Sequence, residues 1–147
     1  MEFKNEAQKQ CYEKIGPWLK QIFGEFVNAR AEGPVYQVVI GSALTNIEVY
    51  PWRENEAVIA VFSWVVTGAE TTAELTRDLL RRNLNMVFGG FGIDDKGDIV
   101  FKHHIVGSSC DQNELRASVL AVAQTADSVD DELVARYGGQ RAVDRRR

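Results

Sequence analysis

The sequence predicts a single α+β domain in which three helices and an antiparallel five-stranded sheet form two layers. Segments with helical and strand periodicity follow in the order α-β-β-β-α-β-β-α along the 147 residues. Successive strands are joined by short turns, which is typical of antiparallel pairing. Three helices are then available to cover the sheet, as in other α+β folds. We expect this domain over residues 1–139, followed by a disordered basic tail over residues 140–147.

The composition is that of an ordinary soluble globule, with 45% hydrophobic residues, 26% charged residues and a net charge of −4. Proteins that bind nucleic acid need a basic surface, so we expect no nucleic-acid partner. The longest apolar run, residues 57–66, is far shorter than the roughly 20 residues of a membrane helix, so we expect no membrane partner. The polar N-terminus and two distant cysteines, Cys11 and Cys110, indicate a reduced, cytoplasmic setting.

The first helical region is predicted between Glu6 and Arg30, where apolar residues recur every three or four positions. Gly16 and Pro17 interrupt this pattern, because proline removes a backbone donor and disfavours helical geometry in the preceding residue. The region is therefore expected to be kinked there, or to consist of two helices.

Three strands are predicted next, at residues 35–41, 45–52 and 57–66. The third of them is apolar on both faces, whereas a strand at a solvated surface alternates. Its faces consist of Ile59, Val61 and Val65 on one side and Val58, Phe62, Trp64 and Val66 on the other. Such a strand must be covered on both faces or bind a partner.

Capping boxes predict the starts of the second and third helices. Thr71 and Glu74 have the required spacing, and Asp111 and Glu114 repeat it. Gly138 is expected to end the third helix, since glycine is the usual residue just past a helix terminus.

A hairpin is predicted between these helices, with strands at residues 84–93 and 99–106 and a turn at residues 94–97. Gly90 and Gly92 superficially suggest a phosphate loop, but a strand rather than a helix follows them. Glycines inside a strand more often mark a bulge or a close backbone approach.

No group of residues has the pattern of a catalytic or metal site. His103 and His104 are adjacent in a strand, so their side chains point to opposite faces and cannot share one metal ion. The aspartates of the hairpin turn lack the pattern of a calcium-binding loop. We therefore expect no catalytic residues, no metal and no cofactor. An enzyme or small-ligand binder that uses either histidine in a pocket under the first helix is the least favoured alternative.

The aromatic residues of the second and third strands are the candidate binding residues. They share the same parity, and they are Tyr50, Trp52, Phe62 and Trp64. Either a helix covers them, or they form an exposed apolar sheet face that meets a partner chain or a peptide.

A family resemblance covers nearly the whole chain and is carried mainly by one block. This block consists of Leu79 and Leu80 at a helix end, Asn83, and the run FGGFGIDDKGDIVFKHHI. With the element order, it resembles YbjN-type proteins and the class I type III secretion chaperones. The shared motif is structural, so no catalytic residue is carried over from the family.

The resemblance implies a non-enzymatic homodimer that holds an extended segment of a client protein on hydrophobic patches. It implies a dimer interface through the second helix, where Leu75, Leu79 and Leu80 are the candidate contacts. The client would be bound by the aromatic strand faces. A self-covered structural or regulatory dimer without a client is the main alternative.

Overall fold

The computed structural model describes residues 1–145, and this part of the chain contains three helices and seven strands. The helices are α1 (Glu6–Phe23), α2 (Ala73–Leu84) and α3 (Gln112–Tyr137). The strands are β1 (Val27–Ala29), β2 (Val35–Ile40), β3 (Ala43–Trp52), β4 (Glu56–Thr67), β5 (Gly90–Ile93), β6 (Ile99–Val106) and β7 (Gln140–Arg141). The predicted α+β class is confirmed, but the count of five strands was wrong. β1 and β7 are too short to produce a periodic signal in the sequence.

The described strands form one antiparallel sheet in the order β1-β2-β3-β4-β6-β5. The long strand β4 lies at its centre, between β3 and β6. On the β3 side, the register of β4 runs as far as Phe62 opposite Asn46. β7 then continues this side of β4, with Arg141 opposite Val66 and Gln140 opposite Thr67.

One face of the sheet packs against all three helices and forms the hydrophobic core. Its fully buried members include Ile15, Leu19, Ile47, Ile59, Leu75, Phe101, Leu115 and Val119. Burying a side chain of this size contributes roughly 1.5–3 kcal/mol, so this layer supplies most of the stability. We call the opposite side of the sheet the open face.

A bulge in β4 changes the predicted assignment of faces. The pairing of β4 with β6 shifts between Trp64 and Val66. Because a bulge inserts one extra residue, Val65 and Val66 are both buried in the core, and Val66 does not share a face with Trp64. Beyond the bulge, Thr67 borders the open face.

The helix starts follow the local sequence closely. The predicted capping box of α3 is confirmed, since the Asp111 side chain accepts the Glu114 amide hydrogen and the Glu114 carboxylate accepts that of Asp111. In α2 the capping residue is Thr72 rather than Thr71, and its hydroxyl accepts a hydrogen bond from the amide of Leu75 at 3.1 Å.

The first helix is shorter than the sequence predicts. α1 is one helix that contains Pro17 and ends at Phe23 instead of continuing to Arg30. The residues that follow form β1, in which Asn28 lies opposite Gln37 of β2. Pairing with the sheet thus overrides the helical periodicity of this segment.

The C-terminal segment, for which the sequence predicts disorder, has a defined conformation up to Arg145. α3 ends at Gly138 as predicted, β7 follows, and Ala142–Asp144 form a short 3₁₀ turn. Although the segment is polar, two of its residues pair with the backbone of β4, and this pairing holds it against the sheet. The two last arginines of the predicted tail lie outside the described residues.

The outer edge of β5 is occupied by a side chain of α2. The Asn83 Oδ1 accepts the amide hydrogen of Phe91 at 2.6 Å, and the Asn83 Nδ2 donates to the Phe91 carbonyl at 3.1 Å. The Asn83 amide group therefore satisfies the backbone groups that a further strand would use. On the inner side, Gly89 allows a close approach, since a Cβ there would lie 2.8 Å from the Lys102 carbonyl oxygen.

Candidate functional site

The open face carries the predicted aromatic residues, and they form two separate pairs. Phe62 and Trp64 lie near the end of β4, whereas Tyr50 and Trp52 lie opposite Val58 and Glu56. At about 3.3 Å per residue, four positions of β4 separate Tyr50 from Phe62 by roughly 13 Å. The four side chains share a face as predicted, but they do not form one cluster.

Phe62 and Trp64 are in direct contact, with ring centroids 5.4 Å apart and planes at 80°. Trp64 keeps 41% of its surface exposed. Its indole nitrogen donates to the Asp94 Oδ2 at 3.0 Å, and this hydrogen bond holds the pKa of Asp94 below its ordinary value. The Lys102 ammonium lies 5.3 Å from the centre of the Phe62 ring. Trp64 is thus fixed at one edge while its ring surface stays available.

A groove of about 720 Å³ runs beside this pair. Its apolar lining comes from Val35, Leu44, Phe62 and Trp64, while charged residues of both signs stand around it. The latter are Arg30, Glu32, Glu48, Asp94, Lys96, Asp98 and Arg145. The groove thus combines exposed aromatic and aliphatic side chains with a larger number of polar and charged ones, a lining suited to a ligand of mixed polarity.

Amide side chains form a polar row along one part of this groove. The Gln37 Nε2 donates to the Asn46 Oδ1 at 2.7 Å, and the Arg30 Nη1 donates to the Gln37 Oε1 at 3.2 Å. Because Asn46 is buried, this row is a fixed part of the sheet surface rather than a solvated fringe. The row was missed in the sequence, where three polar residues on three different segments give no signal.

The second aromatic pair is tied to neighbouring charged groups. The Tyr50 hydroxyl donates to the Glu48 Oε2 at 2.6 Å. Burial and this hydrogen bond raise the pKa of Tyr50. The Arg53 guanidinium carbon lies 4.4 Å from the centre of the Trp52 ring. Both aromatic side chains remain partly exposed and border solvent on the open face.

The predicted dimer contacts of α2 lie in two different environments. Leu75 and Leu79 are buried in the core of their own chain, whereas Leu80 is 70% exposed. Burial removes the first two from any surface that a second copy could reach. Three further exposed apolar residues follow on the same end of α2 and the next loop, and they are Leu84, Val87 and Phe88. The spacing of four between Leu80 and Leu84 was the available sequence signal.

The C-terminal segment also contributes to the groove, which the sequence did not predict. Ala142, Val143 and Arg145 line it, and the Arg145 Nη1 lies 3.6 Å from the Asp98 Oδ2. In the sequence, only residues 140 and 141 could have indicated this contact, and two residues are too few to predict a strand.

The remaining candidates have structural surroundings. His103 lies with its ring 5.6 Å from Phe88, and burial lowers the pKa of both His103 and His104. Both cysteines are buried and unpaired, and burial, with Glu114 nearby, raises the pKa of Cys110 to about 11. Within residues 1–145, no three acidic, histidine or cysteine side chains converge as metal ligands. The same residues include no helix with the length and hydropathy to span a bilayer.

Comparison with known proteins agrees with this architecture. The model of the family TY-Chap1, described as "T3SS (YopN, CesT) and YbjN peptide-binding chaperone 1", matches residues 10–145. A chain of the crystal structure of the ExsC-ExsE complex superposes with a TM-score of 0.62 at 14% identity, covering 86% of this chain and 95% of that one. Comparison with curated proteins gave no match.

These findings define the class of protein as a two-layer α+β domain of the secretion-chaperone type. The family match covers most of the sequence, so this chain belongs to the TY-Chap1 family of peptide-binding chaperones. The resemblance predicted from the Leu79–Ile105 block is confirmed.

Proposed function

We propose that this protein is a non-enzymatic chaperone that works as a homodimer in the cytoplasm and holds an extended client segment on the open face. Membership of a peptide-binding family supports the general role. The observation that carries the proposal is the groove beside Phe62 and Trp64, where apolar side chains lie on a sheet face that no described helix covers.

The chemistry of the groove favours a peptide over a small substrate. Apolar side chains can take alternate side chains of an extended chain, while the Gln37–Asn46 row offers amide groups to its backbone. The groove is open to solvent, and its charged residues have both signs. No nucleophile–base pair accompanies them among the residues that line it, which argues against bond chemistry.

The structural neighbour supports the kind of partner. It comes from a complex of two proteins, ExsC and ExsE, and we propose that this chain likewise binds a protein rather than a metabolite.

For the homodimer, we propose the surface formed by Leu80, Leu84, Val87 and Phe88. Exposed apolar side chains that lie close together are typical of subunit interfaces. Light scattering should give twice the monomer mass for the wild type. Leu80→Asp should give a folded monomer whose melting temperature no longer depends on protein concentration, and Arg81→Asp, an exposed neighbour on α2, is the matched control. A wild-type monomer would contradict this part of the proposal.

The client site is tested by crosslinking in cells, identification of the captured protein, and titration of its bound segment with purified chain. We expect Trp64→Asp and Phe62→Asp to lower the affinity at least about tenfold, since a buried aromatic contact often contributes 2 kcal/mol or more. Arg116→Asp, on the exposed side of α3, should bind normally. Equal affinity of all variants that remain folded would contradict the proposed face.

A further inference from the structure

The end of the groove is closed by the chain's own C-terminal segment, residues 140–145, which we call the strap. It joins the sheet as an added strand, with Gln140 opposite Thr67 and Arg141 opposite Val66. Its following turn contributes Ala142, Val143 and Arg145 to the groove lining. The strap therefore occupies the same surface, and uses the same kind of backbone pairing, as an extended peptide would.

The attachments of the strap are few and mostly exposed. Arg145 lies 3.6 Å from Asp98, and the Arg141 Nε lies 3.8 Å from the Asp131 Oδ1. The Arg141–Asp131 pair is exposed and adds little to stability, whereas in the Arg145–Asp98 pair the aspartate is buried and only the arginine is exposed. Val143 is 52% exposed, so its apolar side chain only partly fills the groove.

The strap also leaves one polar group of the groove unsatisfied. Thr67 is buried beneath the strap and borders the groove, and its hydroxyl has no hydrogen-bond partner among the described residues. An unpaired buried hydroxyl is unfavourable, so a segment that supplies an acceptor or donor there would bind better than the strap does.

We propose that the strap is a displaceable occupant of the client site. A client segment replaces it along Val66 and Thr67 and brings its own arginine or lysine to Asp98. This inference rests on the proposed function, because it names the edge and the charge by which the client is held. The partner is accordingly an extended segment with a basic residue close to its apolar anchor, and the empty chaperone protects its groove with its own C-terminus.

Two neighbouring glycines allow a direct test without shortening the chain. Gly138 and Gly139 both have positive φ, 81° and 77°, so an alanine is strained at either position. Only at Gly139 would the added Cβ also collide with the docked site, 2.5 Å from the Thr67 carbonyl oxygen and 2.7 Å from the Ala69 amide nitrogen. Gly139→Ala therefore releases the strap, and Gly138→Ala is the matched control.

The probe is a synthetic peptide with the sequence of residues 138–147, GGQRAVDRRR. Its binding is monitored by the NMR signals of Val66, Thr67 and the Trp64 indole. A linked segment acts at an effective concentration of order millimolar, so the free peptide is added to about that level. We expect Gly139→Ala to bind the peptide about tenfold more tightly than the wild type or Gly138→Ala does. This factor assumes that the strap is docked about nine-tenths of the time, so that the site is free in only about one-tenth of the wild-type molecules.

A second peptide tests the charge. Replacing its Arg145 equivalent with alanine should weaken binding to Gly139→Ala about two- to fivefold, because the arginine that pairs with the buried Asp98 is itself half exposed. Before peptide is added, the amide signals of residues 66, 67, 140 and 141 in Gly139→Ala should already differ from those of the control.

Unchanged amide signals in Gly139→Ala, or equal peptide binding by all three proteins, would overturn the strap proposal. These outcomes are distinct from failure of the proposed function. If the strap proposal fails, the client experiment with the Trp64 and Phe62 variants still tests the proposed function. If the strap is displaced as expected but those variants bind the client normally, the proposed client site is wrong.

Discussion

The two faces of the sheet use similar residues for opposite purposes. On the helix-covered face, Ile47, Ile59 and Phe101 have no exposed surface. On the open face, Trp52 and Trp64 lie one position out of phase with that row and keep about two-fifths of their surface exposed. The comparison shows that the apolar residues of β4 are divided between the core and the open face, and that the division follows the pleat of the strand.

The two faces also differ in how their polar groups are held. The helix layer is joined by ion pairs, since Arg82 bridges Asp78 at 2.9 Å and Glu132 at 2.6 Å. The open face adds neutral donors to its charged groups, as in the hydrogen bonds from the Gln37 amide to Asn46 and from the Trp64 indole to the Asp94 carboxylate. A neutral amide such as that of Gln37 can exchange partners with a peptide backbone at a lower desolvation cost than an ion can.

The largest contrast should appear between Phe101→Ala and Phe62→Ala. These residues lie on adjacent strands and opposite faces, and Phe101 is fully buried. We expect Phe101→Ala to lower the free energy of unfolding by about 3–5 kcal/mol, as for other phenylalanines in cores, and Phe62→Ala by less than half of that. Urea denaturation measures both. Equal losses would mean that the open face belongs to the core.

The next largest effect should come from the α2–β5 contact. Asn83→Ala leaves the Phe91 amide and carbonyl groups without their present partner, so we expect a loss of about 1–3 kcal/mol. Arg81→Ala, at an exposed position of α2, should change the stability little. If the two variants unfold at the same urea concentration, the edge contact is not a stabilising one.

A smaller effect is expected from the ion pairs of the helix layer. The hydrogen bond from Arg82 lowers the pKa of Glu132, so its contribution is present above the ordinary glutamate pKa and is lost as the pH falls through the lowered value. Glu132→Gln should cost at most about 1 kcal/mol at pH 7, because the pair is half exposed. Melting curves at pH 7 and pH 3 should differ less for Glu132→Gln than for the wild type.

The smallest change should be confined to the open face. Trp64→Phe removes the indole donor to Asp94, so we expect the pKa of the Asp94 carboxyl group to rise while the melting temperature stays nearly unchanged. Because this pKa is lowered in the folded state, the contribution of Asp94 is lost only at acid pH. NMR titration of the Asp94 side chain provides the measurement, and an unaltered pKa would show that Trp64 does not hold this carboxylate.

Local signals predicted the fold well where they were long or chemically specific. The β6 strand and the Asp111–Glu114 cap were evident from the sequence because period and spacing are local properties. The site was only partly predictable. The alternation of side chains along a strand was enough to place Trp64 on the same face as Phe62. The register of β3 against β4 and the path of residues 140–145 depend instead on contacts between distant segments.

The division of α2 shows the same limit on a smaller scale. Leu79 and Leu80 are adjacent leucines in one family-like block, and the sequence treats them alike. The helix turns by 100° between them, so one lies in the core and the other faces solvent. Only the direction from which the sheet approaches α2 decides which of the two is buried.

The Asn83 amide group has a consequence for how large an assembly can grow. A sheet that could accept strands at both outer edges would add copies without limit and form fibres. Here Asn83 occupies the β5 edge at Phe91, which leaves the short strand β1 at the other end of the sheet. Pairing between the sheets of different copies is then limited to the β1 edge, which joins only two copies. One side chain thereby prevents a sheet from growing continuously through its β5 edge.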